Sequence, residues 1–263
     1  MRRFLLSALT TLVLCVTLGV FLSSAYAKPP KHMLVVTVTK GYRHDSIAVA
    51  ETTLQTLADE SRGAFVVDYA RTDADIQAKM TAVALKNYDA VFFANTTGDL
   101  PLPDRDGFLA WIRAGHGFIG AHAAADTFRG NAPFRKMLGG EFLTHGAQVS
   151  VTAIVDDKKH PATKAFKTPT FAVFDEIYEF QHFDPRRVHA LLSMNAHPQT
   201  KAPGDYPIAW CRTEGKGRVF YTSFGHRDDI WQAPWYRTHL MGGILWTLGL
   251  RKGDATPGKI TTK

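Results

Sequence analysis

The first half of the chain alternates between two textures of apolar and polar positions. Short, nearly continuous β-branched or aromatic runs recur at residues 33–39, 65–69, 88–94 and 117–121. Such runs suit parallel strands buried on both faces. Between them lie segments of helical spacing. Residues 46–58 place Ile47, Ala50, Leu54 and Leu57 on one face, with Ser46 or Asp45 as N-cap. Residues 74–80 and 104–114 continue the pattern, the latter turning Phe108, Trp111 and Ile112 inward. A further short helix is predicted near Pro133, a residue suited to a first helical turn. The strand–helix alternation predicts an α/β fold with a doubly wound parallel sheet.

From residue 148 the texture changes. Residues 149–155 and 171–180 show partial alternation and are read as strands, followed by 188–193, 207–212 and 218–222. The last two are joined by a Gly-rich hairpin loop at 213–217. Residues 235–248 form a closing helix. The polar, Gly- and Pro-containing stretch 251–263 is expected to be a disordered tail. The N-terminus reads differently. Arg2 and Arg3 precede an apolar stretch at 4–22, and Ala25-Tyr26-Ala27 fits the small-x-small rule for signal cleavage. Residues 1–27 are therefore expected to be a signal peptide cleaved after Ala27, which implies a periplasmic or extracellular location; an uncleaved anchor is the rival reading. Residues 28–250 are expected to form one domain, with no repeat and no linker.

Composition narrows the chemistry. Of 263 residues, cleavage leaves 236 and one cysteine, Cys211, so no disulfide can form within the mature chain. Net charge falls from +7 to +5 when Arg2 and Arg3 are removed. The basic residues are scattered, which argues against a nucleic-acid partner.

In an open parallel sheet, ligands bind beyond the carboxyl ends of the strands. That rule selects the loops at 40–45, 95–99, 122–126 and 223–228, and three of them carry a histidine: His44, His122 and His226. The loop at 95–99 offers Thr97 and Gly98. Each has a plainer reading as well: His44-Asp45 as a turn and cap, Thr97-Gly98 as turn chemistry, and His226 as a surface residue. His122 is the sharpest candidate. Crowded small residues in GFIGAHAAAD let a strand turn abruptly into a helix, as in a nucleophile elbow with histidine at its tip.

Taken together, VTVTKGYRHDSI, YDAVFFANTTGD, GHGFIGAHAAAD, DDKKHPAT, YPIAWCRTEGKGRVFYTSFGH and HLMGGILWTLG resemble the trehalose-utilisation (ThuA-like) family. They occur in the family's order and span nearly all of the mature chain. The resemblance implies a flavodoxin-like, three-layer α/β/α fold with a mostly parallel sheet, of the class I glutamine amidotransferase-like superfamily. In that fold a cysteine stands at the elbow and a histidine follows a late strand. Those places match His122 and His226. Cys211 lies in a predicted strand, so thiolate-driven glutamine hydrolysis is excluded.

His44, His122, His145 and His226, with Asp126 and Glu176, offer two chemistries. One is proton transfer. The other is binding of a divalent metal such as Zn²⁺, with His122, His145 and His226 as the expected ligands. His122, His226, Asp126 and Glu176 are the expected catalytic residues. His44, Thr97, Gly98 and Tyr178 are the expected substrate contacts. The resemblance implies a small carbohydrate substrate, such as trehalose or a 3-keto-glycoside supplied by sugar oxidoreductases. A non-catalytic module binding carbohydrate or envelope polymer is the alternative. Trp231, Trp235 and Tyr236 could stack on sugars or anchor the last helix.

Overall fold

In the computed structural model, residues 29–258 are described. The predicted signal segment lies outside them. In chain order the elements are β1 Lys31–Val36, α1 Ile47–Glu60, β2 Phe65–Ala70, α2 Asp73–Lys79, β3 Ala90–Ala94, α3 Arg105–Arg113, β4 Gly117–Ala121 and α4 Ala132–Leu138. The second half runs β5 Glu141–His145, β6 Val149–Val155, β7 Thr170–Asp175, β8 Tyr178–Gln181, β9 His189–Ala196, β10 Pro203–Glu214, β11 Gly217–Thr222, α5 Asp228–Gln232 and α6 Pro234–Thr247.

Nine strands form one sheet in the order β2-β1-β3-β4-β11-β10-β9-β6-β7, and β5 pairs with β8 separately. The five strands from β2 to β11 run parallel. Beyond them β10 and β6 are reversed, so seven of the nine point one way. Successive side chains face opposite layers. Met33, Val35, Phe92, Ile119 and Phe220 pack on one side with α1 and α6. Leu34, Val36, Phe93, Phe118 and Tyr221 pack on the other with α2, α3 and α4. The expected α/β/α sandwich follows from this two-sided burial. Each fully buried Phe or Leu contributes roughly 2–3 kcal/mol.

Local signals explain most boundaries. Thr72 and Asp75 form a capping box on α2. Asp104 accepts from Gly107 N at 2.8 Å to start α3. Asn131 caps α4, and Gly139 ends it with φ 104°. Ser46 stands at the N-cap position of α1 but makes no side-chain cap bond there. Three elements differ from expectation. β5 and α5 were not anticipated. The run at 171–180 is two strands, broken at Glu176-Ile177 as the chain leaves the large sheet for the small one. The tail expected to be disordered from Arg251 is held as far as Gly258. Trp246 Nε1 donates to Gly253 O (3.2 Å), His189 Nδ1 to Thr256 O (2.9 Å) and Gly258 N to Val188 O (3.1 Å). Among the described residues no helix is long and apolar enough to cross a membrane.

Two histidines with no constellation in the sequence are core parts. His239 is fully buried and donates from Nδ1 to Ala162 O at 2.8 Å. His160, also fully buried, accepts from Ala162 N at 3.2 Å in the HPAT turn. Burial pushes each from 6.5 down to about 4. Between those values the unfolded chain binds the protons that the folded one refuses. Stability is therefore full above pH 6.5 and falls as pH drops towards 4, by up to roughly 3 kcal/mol per histidine. Asp156, pushed up to about 6 by burial, works in the opposite direction. We predict a steep fall in the thermal midpoint from pH 6.5 to 4.5, and a shallower one for His239→Gln. Equal slopes for the two proteins would refute the assignment.

Candidate functional site

The site forms at the rim where the parallel strands end. β4 is buried throughout and stops at Ala121. His122 then takes φ 46°, a left-handed conformation that a non-glycine residue adopts at a cost. A short 3₁₀ turn, His122–Asp126, follows. This is the elbow expected from the small residues around it. Tyr221 Oη donates to His122 O at 2.7 Å, and His122 Nδ1 stands 2.7 Å from Ser223 O. A carbonyl can only accept, so Nδ1 carries a proton, and Nε2 is the nitrogen whose lone pair, in the neutral ring, faces the cluster.

Three more side chains meet that lone pair. His44 comes from the loop after β1, Glu176 from the break between β7 and β8, and His226 from the loop after β11. One nitrogen or carboxylate oxygen of each of the four lies within 4.8 Å of all the others. The imidazoles pack edge to face, with ring centres 4.8 Å (His44–His122), 5.3 Å (His44–His226) and 5.4 Å (His122–His226) apart. Oε2 of Glu176 is 3.4 Å from both His122 Nε2 and His226 Nδ1. These contacts are charge–dipole neighbours rather than well-formed hydrogen bonds. His122 Nε2, His226 Nδ1 and His44 Nδ1 are accordingly buried with no hydrogen-bond partner.

Electrostatics follow from burial. Desolvation, helped by His122 and His226, drives His44 down to about 3, so it is neutral at neutral pH. Desolvation alone would raise Glu176, but His122 and His226 beside it hold it well below the usual carboxylate range. His226 moves up through its contact with Glu176, against its own burial. His145 lies on the outer side, with 42 % of its side chain exposed, and its Nδ1 is 3.1 Å from Glu176 Oε1 and 2.9 Å from Gly146 O. The Tyr178 ring packs 4.2 Å from that of His122.

One residue holds the late loop in place through both of its backbone polar groups. The carbonyl of Gly225 accepts from Ser46 Oγ (3.1 Å), Asn95 Nδ2 (2.9 Å) and Trp231 Nε1 (2.8 Å). Its N–H donates to Asp175 Oδ2 at 2.9 Å. Gly225 has φ 120°, and a Cβ there would stand 3.1 Å from Trp231 Nε1 and Tyr236 Oη. The next residue is His226. Asp175, fully buried and shifted upward by desolvation, is followed by Glu176. A single clamp thus orders two members of the cluster.

The expected residues divide accordingly. His122, His226, Glu176 and His44 converge, with Tyr178 against them. Of the expected metal trio, His122 and His226 are in the cluster; His145 touches Glu176 but is not among the four, and His44 takes the inner place. Asp126 stands outside the cluster, with Oδ1 paired to Arg129 Nε at 3.0 Å. Thr97 Oγ1 is spent on the neighbouring loop, accepting from Gly41 N (3.2 Å) and donating to Tyr42 O (2.9 Å). Gly98, at φ 73°, lies so close to Lys40 and Gly41 that a Cβ would come within 2.9 Å of their backbone. Both hold the turn that joins the two loops. Trp231 and Tyr236 are buried core anchors. Asp175, Asn95, Ser46 and Gly225 went unrecognised in the sequence, where only the Asp-Glu pair offered any signal. A cavity of about 1090 Å³ lies at a different place, lined by Asp156, Asp157, His189, Asn195 and Asp254 among others, and none of the four cluster residues borders it.

Asn95→Leu removes a donor from both Gly225 O and Ser46 Oγ, leaving the buried carbonyl with Ser46 Oγ and Trp231 Nε1 alone. We predict a loss of about 1–3 kcal/mol in chemical denaturation, where Ser46→Ala loses about 1 kcal/mol. A neutral Asn95→Leu would mean that the clamp is not under load.

The sequence pattern of the ThuA family, described as trehalose utilisation, matches residues 32–247. A putative ThuA-like protein from Bacteroides uniformis is similar in structure, with TM-score 0.65 and 23 % identity over 86 % of this chain and 94 % of that one. Another, from Parabacteroides merdae, gives TM-score 0.69 and 20 % identity over 89 % and 92 %. A cytoplasmic protein from Salmonella typhimurium LT2 gives 0.54 and 17 % over 83 % and 99 %. At these identities the likeness concerns the fold. No curated protein matches the chain in sequence. With the family pattern covering the whole sheet and all four cluster residues, the chain belongs to the ThuA, or trehalose-utilisation, family.

Proposed function

We propose that this protein is an exported enzyme acting on carbohydrate derivatives, 3-keto-glycosides in particular, at the His44–His122–Glu176–His226 cluster. The observation that carries the reading is the set of three buried imidazole nitrogens without hydrogen-bond partners, gathered around one carboxylate. Leaving one such nitrogen unsatisfied costs about 1–3 kcal/mol. Three together are the donor set of a divalent metal such as Zn²⁺, which takes neutral imidazole and carboxylate. His44 is kept neutral by burial, and His122 is set in the right tautomer by Ser223 O. An ion held by these four residues would supply Lewis-acid polarisation of an adjacent keto or hydroxyl oxygen.

Proton transfer falls to a neighbour of the four. Both atoms facing His145 Nδ1, Glu176 Oε1 and Gly146 O, are acceptors. The proton therefore sits on Nδ1, and Nε2 is free to act as a base at the exposed side. In a 3-keto-glycoside the ketone acidifies the C–H at C2. Loss of that proton to His145 Nε2 lets the C–H electron pair form the C1–C2 double bond while the C1–O bond breaks, and the leaving oxygen takes a proton back from His145 to depart as the alcohol. Ordinary glycosidases need two carboxylates flanking the bond. Among the described residues the cluster has one, Glu176, since Asp126 is paired with Arg129 and Asp175 holds Gly225.

The test is metal analysis and turnover on the same preparations. About one equivalent of Zn²⁺ is expected in the wild type, with affinity falling roughly 10–100-fold or more in His44→Ala, His226→Ala and Glu176→Gln. His145→Ala should keep the metal but lose turnover of a 3-keto-glycoside by about 10²–10⁴-fold. Sugar binding without product in the wild type would replace the enzyme reading with the binding module. The exported location rests on the pattern of residues 1–27. Sequencing of the protein recovered from cells should begin at Lys28; an intact Met1 would defeat that reading.

A further inference from the structure

We propose that Tyr42 is the stacking platform that receives the pyranose ring of the substrate at the mouth of the imidazole cluster; this rests on the carbohydrate reading above. Most aromatic side chains of this protein are core residues. Tyr42 is 64 % exposed. A lone exposed aromatic is ordinary on a protein surface and needs no explanation. This one differs because of what it touches. Its ring centre is 4.9 Å from that of His44, with the planes at 88°, and His44 is a 5 %-exposed member of the cluster.

The loop that carries Tyr42 is fixed while the ring is left open. Lys40 N donates to Thr97 O at 2.8 Å and Gly41 N to Thr97 Oγ1 at 3.2 Å. Thr97 Oγ1 in turn donates to the carbonyl of Tyr42 itself at 2.9 Å. Arg43 Nη1 donates to Thr37 O at 3.0 Å from the other side. The backbone at 40–42 is thus tied to Thr97 in the loop after β3, and the Arg43 side chain reaches back to Thr37 just past β1. An aromatic group whose backbone is already ordered loses little entropy on binding. Thr97 and Gly98, expected from the sequence to touch substrate, act one step away by holding this loop.

The chemistry of the occupant follows from the pairing of surfaces. A pyranose has an apolar C–H face and a polar rim of hydroxyls. An aromatic face beside buried imidazoles and a carboxylate offers the same two characters in the same order. Other exposed apolar side chains on cluster-bearing segments fit less well. The Phe174 ring, 46 % exposed, has the Arg227 guanidinium 5.0 Å from its centre. Leu143, 48 % exposed, offers no ring.

The experiment compares Tyr42→Ala, Tyr42→Phe and wild type on methyl 3-keto-glucoside and on dihydroxyacetone, a small ketone with no pyranose face. Tyr42→Ala should raise KM for the glycoside about five- to tenfold with kcat little changed. Tyr42→Phe should match the wild type, and binding of dihydroxyacetone and Zn²⁺ content should be the same in all three. An unchanged KM in Tyr42→Ala, or an equal loss for both ketones, would overturn the platform while leaving the carbohydrate reading standing. A wild type that binds dihydroxyacetone and no glycoside would overturn the carbohydrate reading and the platform with it.

Discussion

The backbone of Gly225 is the constraint on which the site depends. Its oxygen takes three donors, from Ser46 just before α1, Asn95 just after β3 and Trp231 in α5, and its N–H is held by the last residue of β7. No other residue fits there without pressing on Trp231 and Tyr236. Because both backbone groups are saturated, the loop after β11 has one conformation, and His226 has one place. The same contact ties β7 to that loop, which brings Glu176 to the rim. Ser46, Asn95, Asp175 and Trp231, far apart in the chain, are joined through the backbone of one residue.

Around that frame the cluster is an arrangement of conflicting demands. Three imidazoles beside each other repel as cations, and burial disfavours charge on any of them. One carboxylate cannot satisfy three nitrogens at hydrogen-bond distance. What results is a set of donor atoms within 4.8 Å of one another, with His44 neutral and Glu176 ionised. Such a set is costly unless something shares the electrons, which is the physical basis for reading it as a cation site. The strained φ of His122 belongs to the same account. A backbone conformation of this kind persists only where the surroundings over-determine it, and here Tyr221 Oη and Ser223 O do so.

The likeness to the amidotransferase elbow is one of place, not of chemistry. Cys211 is buried within β10, its thiol raised well above normal by burial, with His160 Nε2 3.7 Å away. It is unfit as a nucleophile. The elbow instead presents a nitrogen whose tautomer is set by the chain itself. The large sheet tolerates this because its center is parallel and covered on both faces, leaving the strand ends as the natural place for polar side chains.

What the sequence by itself determined was local. Apolar runs placed eight of the strands, helical spacing placed most helices, and small residues marked the elbow at His122. The rule that ligands gather at strand ends picked out His44 and His226 as well, because a parallel sheet exposes those loops together. Tertiary structure alone decided the rest. It split the run at 171–180 so that Glu176 could turn inward, put His44 rather than His145 in the inner ring, and sent Asp126 to Arg129 and Thr97 to the Tyr42 loop. It also diverted Ser46 from capping its own helix to a carbonyl on the far side of the chain. None of this is written in spacing, because each outcome is a competition among hydrogen-bond partners that only folding makes neighbours.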